Sequence, residues 1–122
     1  MLSASKKRYL FTIYELGCDG RAVQCKDIAS SLGVKRPSTS KMLKILAEED
    51  QLIEKEYYGT VQFTATGAKL ANELFTSYQL LYAFFCNELG TPPEQARKDA
   101  VFCLCGLSDE SIERIAQRVL KG

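Results

Sequence analysis

The sequence predicts a mainly α-helical chain carrying one small β-hairpin, in the order three helices, hairpin, three helices. Three observations predict it. Apolar residues recur at helical spacing in separate stretches of the 122 residues. Two β-prone runs, Leu52 to Glu56 and Thr60 to Thr64, flank the short glycine-containing loop Tyr57-Tyr58-Gly59. Gly, Pro, Ser and Thr stand at the joints, where helices start and stop.

The first helix is expected from about Ser5 to Leu16, with Leu10, Ile13, Tyr14 and Gly17 forming one apolar stripe; Asp19-Gly20 is the turn after it. The second, about Cys25 to Leu32, turns Ile28, Ala29 and Leu32 inward and is ended by Gly33. Val34 leads into the third, about Arg36 to Glu49, whose buried face is Met42, Leu43 and Leu46, widened by Ile45. In the hairpin, the charged run Glu54-Lys55-Glu56 weakens the first strand. Thr64 is placed to cap a long helix from about Ala65 to Leu89, closed by Gly90. Leu70, Leu74, Tyr78, Leu81, Phe85 and Leu89 line it, and Leu80 and Phe84 widen the face, so it must be covered from more than one direction. Thr91-Pro92-Pro93-Glu94 reads as a helix start, with Thr91 as cap, Pro92 in the first turn and Glu94 completing a capping box. That helix reaches about Cys105 and breaks at Gly106. Ser108 caps the last one, with Asp109 and Glu110 near its positive end and Ile112, Ile115, Ala116, Val119 and Leu120 as its stripe.

Charge is unevenly placed. The net charge is +1, yet residues 1–48 hold nine Lys and Arg against four Asp and Glu, and residues 49–122 hold seven against eleven. A basic front and an acidic back suit a chain that meets a polyanion with one end. No run of about eighteen apolar residues is present, so no membrane span is expected. The basic N-terminus has no apolar signal core behind it, so secretion is not expected. Five irregularly spaced cysteines fit a reduced, cytoplasmic chain, with buried structural thiols as the default and a redox role as the exception. Cys103 and Cys105, two apart on a helix, point about 200° apart and cannot share a metal; Cys86 with Cys105, and Cys18 with Cys25, are the pairs able to approach. The chain has no histidine and no glycine-rich phosphate loop, which removes the usual acid–base and nucleophile-activating arrangements, so it is not expected to be an enzyme.

Residues 25–46 carry the functional signal. Small Ala29 lets a second helix cross closely, Gly33 permits the tight turn and Val34 plugs the corner, which is the mechanics of a helix-turn-helix. The second helix presents Lys35, Arg36, Lys41 and Lys44 with Ser38, Thr39 and Ser40 among them. Cations neutralise phosphates, hydroxyl and lysine groups bond base edges, and the Pro37 ring can meet a thymine methyl. No good cap precedes Pro37, so N–H groups there are open to a phosphate. Lys55 and Tyr57 of the hairpin, and Lys6 near the N-terminus, are expected along the DNA backbone. Three helices followed by a hairpin give the winged helix-turn-helix order, and double-stranded DNA is the expected partner.

On these residues the sequence resembles the metal-dependent repressors typified by the diphtheria toxin repressor and the manganese transport regulator. The matching stretches are Tyr9 to Leu16, Asp27 to Val34, Ser38 to Leu43, Leu52 to Lys55, Thr64-Ala65-Thr66-Gly67 and Leu107-Ser108-Asp109-Glu110. The resemblance implies a homodimer on palindromic operators, with residues 1–66 as the winged helix-turn-helix DNA-binding domain and 67–122 as a helical dimerisation domain. The chain stops after the last helix, which resembles the shorter manganese type without a barrel-like third domain. The family's ligand positions fall at Arg8, Phe11, Tyr78, Val101, Leu104 and Cys105, and only Cys105 binds metal well. The expectation is therefore no metal and no cofactor, with Phe11, Tyr78, Val101 and Leu104 packed in the place of the metal site. Alternatives are a pocket there for a small apolar or anionic effector with Arg8 as counter-charge, a regulator of the small-molecule or redox-sensing kind, and a winged helix that binds protein.

Overall fold

A computed structural model describes residues 2–56 and 59–122. The elements are α1 (Ala4–Gly17), β1 (Val23–Gln24), α2 (Cys25–Leu32), α3 (Arg36–Lys44) running on into a π-helical turn (Ile45–Glu49), β2 (Ile53–Lys55), β3 (Thr60–Phe63), α4 (Ala65–Ala83) ending in a second π-helical turn (Phe84–Glu88), α5 (Pro93–Gly106) and α6 (Asp109–Lys121). The expected order of helices and hairpin is therefore present. The short strand β1 is added to it, making a three-stranded antiparallel sheet of order β1-β3-β2. In the hairpin Ile53 faces Phe63 and Lys55 faces Val61, while Val23 of β1 pairs with the same Val61.

Two compact units divide the chain: Tyr9–Asn72, and Glu73–Gly122 together with the residues up to Arg8. The core of the first includes Leu10, Ile28, Leu43, Leu46 and Ile53, and that of the second includes Leu81, Ala100, Leu104 and Ile112. Helices α1 and α4 each contribute residues to both units.

The start of α4 is pinned hard. Thr64 Oγ1 accepts from Gly67 N–H at 3.1 Å and itself donates to the Gln51 carbonyl at 2.8 Å, so one hydroxyl caps the helix and ties it to the loop before β2. A Cβ built on Gly67 would lie 1.8 Å from the Leu52 carbonyl oxygen. Only glycine fits there, and the loop–helix joint depends on it. Ser108 caps α6 as expected, its Oγ accepting from Ser111 N–H at 3.1 Å.

Two local expectations are corrected. Helix α5 begins at Pro93 with Pro92 as its N-cap and no side-chain cap bond, so Thr91 does not cap it and the Glu94 box does not form. The two successive prolines set the extended-to-helical entry by their fixed φ. Val34 does not plug the corner between α2 and α3; it is 41% exposed.

Candidate nucleic-acid interface

The turn between α2 and α3 is built by backbone geometry. Gly33 adopts φ +68°, a left-handed conformation that glycine takes without steric cost. Val34 N–H then donates to the Ala29 carbonyl at 3.0 Å and Gly33 N–H to Ser30 at 3.3 Å, which closes α2. Ile28 and Ala29 lie buried on one side of the turn and Leu43 and Leu46 on the other.

Helix α3 leaves this turn with Lys35 extended as its N-cap and Pro37 in its first turn; no side chain caps it. Lys35, Arg36, Pro37, Ser38, Ser40, Lys41 and Lys44 are all exposed. At 100° per residue, Pro37, Lys41 and Lys44 fall opposite the stripe formed by positions 39, 43 and 46. Lys44 makes a weak pair with Glu48 at 4.0 Å, both partners solvated. Lys35, Arg36 and Lys41 have no side-chain partner among the described residues. The result is a solvent-facing strip of cations and hydroxyls on a helix whose other side is buried in the core.

Thr39 does not belong to that strip. It is fully buried, with its hydroxyl 3.5 Å from the Tyr9 hydroxyl of α1, so it cannot meet a duplex. The sequence carried the signal: Thr39 stands four and seven residues before Leu43 and Leu46, on the same helical stripe. The other expected contacts are scattered. Lys55 is exposed on β2, where Glu54 and Glu56 beside it are exposed too. Tyr57 lies outside the described residues. Lys6 is half-buried and belongs to the helical unit.

The six positions that resemble the family's ligands offer poor metal chemistry. Arg8 is exposed, Phe11 is buried, Val101 is half-buried and Leu104 is buried. Tyr78 is buried with its ring 5.8 Å from Phe75 and 6.2 Å from Tyr82, an aromatic stack within α4. Cys105 is half-buried; burial raises its thiol pKa, with Arg8 and Lys7 pulling it the other way. A metal needs the thiolate, together with several further N, O or S donors. Among the described residues no group of three or more His, Cys, Asp or Glu can hold an ion. The donor set present does not fit the metal that the resemblance implies.

All five thiols are free, and none is fully buried. Small buried hydrophobes were the expectation; instead Cys18 is exposed and the other four are half-buried. The neighbouring Cys86 thiol raises the pKa of the Tyr82 phenol. A surface cleft of about 730 Å³ opens in the winged unit between the end of α1 and the sheet, lined among others by Tyr14, Cys18, Arg21, Gln62 and Phe63. Neither Arg8 nor Phe11 lines it, so it is not the effector pocket anticipated from the sequence. No helix among the described residues is long and apolar enough to cross a membrane.

Comparison with known proteins places this geometry. Residues 1–60 match the family model of the iron dependent repressor, N-terminal DNA binding domain. The chain is 40% identical over 87 residues to the transcriptional regulator MntR of Escherichia coli O157:H7, covering 71% of this chain and 55% of that protein. It is 31% identical over 119 residues to the HTH-type transcriptional regulator MntR of Bacillus subtilis (strain 168), covering 98% of this chain and 82% of that one. Among solved structures, T. acidophilum IdeR superposes with a TM-score of 0.80 at 26% identity, over 97% of this chain and 55% of its own. The manganese regulator SloR gives 0.77 at 29% identity, over 96% and 54%. The chain thus spans little more than half the length of the E. coli regulator and of both structural neighbours.

Proposed function

The chain belongs to the family of metal-dependent repressors typified by the diphtheria toxin repressor and the manganese transport regulator, and from that premise we propose that it is a sequence-specific DNA-binding repressor, acting in the cytoplasm as a homodimer on palindromic operators and without the family's metal. One observation carries the reading: the strip of Lys35, Arg36, Pro37, Ser38, Lys41 and Lys44 on α3, exposed, uncapped at its start and held out by the left-handed turn at Gly33. Such a helix offers its N-terminal residues to base edges and its lysines to phosphates. Lys55 on the hairpin extends the cationic set to the wing. The relatives are named transcriptional regulators, not enzymes.

The dimer is supported by apolar surface within the helical unit. Leu89, Phe102 and Leu120 are 60%, 70% and 74% exposed, and Phe84 and Phe85 are half-buried. A second copy that covers these side chains would remove their apolar area from water. The metal-free part of the reading rests on the donor chemistry at Arg8, Phe11, Tyr78, Val101, Leu104 and Cys105.

The test separates reading from positioning. In operator selection from a random DNA pool, Lys41→Ala and Ser38→Ala change the preferred half-site, whereas Lys55→Ala weakens all DNA about equally and lowers the salt slope by about one. Unchanged preference in both α3 variants overturns the assignment of α3 as the reading helix.

A further inference from the structure

Lys7 is the one charged side chain buried among the described residues. Its Nζ lies 3.2 Å from Asp109 Oδ1, a pairing across 102 positions of sequence. The lysine side chain is 11% exposed and the aspartate 67%. The pair is thus a desolvated cation answered by a carboxylate that reaches in from solvent. Asp109 stands in the first turn of α6, just after the Ser108 cap. Lys7 stands in α1, which is one uninterrupted helix from Ala4 to Gly17: its residues up to Arg8 belong to the helical unit and those from Tyr9 on to the winged unit. Arg8 and Lys7 also act on Cys105, the single good metal donor of the six family positions. A divalent cation brought to that thiol would meet two positive charges.

We propose that the Lys7–Asp109 ion pair is a built-in clamp that holds the first turns of α1 on the helical unit and makes operator binding independent of an effector metal. The inference rests on the reading of the chain as an operator-binding regulator, and it deepens that reading by naming how the site is controlled. The physical reason is asymmetric. A buried ammonium is tolerated only while it is paired, and removing its carboxylate costs far more than the pair gains. Helix α1 runs without a break from these first turns to Gly17, so the pair acts on the helix whose later residues belong to the winged unit.

The test is a mutant cycle on the full chain, read by operator binding and by amide hydrogen exchange along α1. Wild-type protein is expected to bind operator DNA with the same affinity, within about twofold, in chelator and in added manganese or ferrous ion. Asp109→Ala, which strands the buried ammonium, is expected to weaken binding by roughly tenfold and to speed exchange at the start of α1; Lys7→Ala, which leaves a solvated carboxylate, is expected to cost less, and the double variant should be no worse than Asp109→Ala. If a single variant fails to fold, Lys7→Met with Asp109→Asn keeps the fold by removing both charges at nearly unchanged volume, and it should restore both slow exchange and binding. Metal stimulation of tenfold or more, or an Asp109→Ala variant that leaves operator affinity within twofold, overturns the proposal. Failure of the underlying reading shows separately: wild-type protein ignores every operator while exchange at α1 still follows the pair, which overturns the control of DNA binding and leaves only the clamp on α1.

Discussion

Thr39 sits in the middle of α3, among residues whose side chains face water, and yet it is fully buried. Its hydroxyl and that of Tyr9 satisfy each other at 3.5 Å, a long and weak bond between two groups that have little alternative. Removing the hydroxyl without changing the shape isolates that bond. Thr39→Val is expected to lower stability by about 1 kcal/mol, because Tyr9 loses a partner, and to leave operator preference untouched. Urea denaturation reads the first effect and operator selection the second. Altered preference would mean that the buried face of α3, not the strip of Pro37, Lys41 and Lys44, is what DNA reads.

At the scale of elements, the joint between the hairpin and α4 is the least forgiving place in the winged unit. Leu52 leads into β2, its carbonyl accepts from Thr64 N–H at 3.1 Å, and the same carbonyl lies hard against Gly67. The loop, the strand and the helix start thus share one point. A methyl group at Gly67 collides with backbone, which cannot swing aside as a side-chain tip can. Gly67→Ala is expected to cost roughly 3 kcal/mol, the upper end of overpacking penalties, measured by the shift in denaturation midpoint at unchanged slope. A cost near zero would show that the helix can slide away from Leu52. The two π-helical turns, Ile45–Glu49 and Phe84–Glu88, close α3 and α4 in the same way, each continuing its helix for one wider turn.

For the molecule as a whole, the exposed apolar residues of the helical unit set the expectation. Phe102 on α5 is 70% exposed, an unusual setting for a ring that gains about 2 kcal/mol or more when covered. The chain is expected to sediment as a dimer, and Phe102→Glu to shift it toward monomer, with operator binding falling more than tenfold because two half-sites are no longer engaged together. Sedimentation equilibrium decides it; a monomeric wild type, or a dimer indifferent to Phe102→Glu, removes α5 from the interface. The charge pattern belongs to this scale too. The basic residues of the front half include the cations of α3, so binding is expected to weaken steeply with salt.

Much of this was legible in the residues alone. The stripe Ile28, Ala29, the glycine at 33 and the capping hydroxyls of Thr64 and Ser108 act within one or two helical turns, and local physics is what a sequence records. The order of helices and hairpin, the left-handed turn and the cationic strip of α3 all follow from such short-range patterns. Strand β1 was not legible, since two residues have no period and exist as a strand only because β3 lies beside them. The Thr91 cap failed because Pro92 and Pro93 moved the helix start downstream. The burial of Thr39, the squeeze at Gly67 and the pairing of Lys7 with Asp109 were decided by tertiary structure. Each depends on a partner 15 to 102 positions away, and only the folded chain determines which distant groups end up within reach of one another.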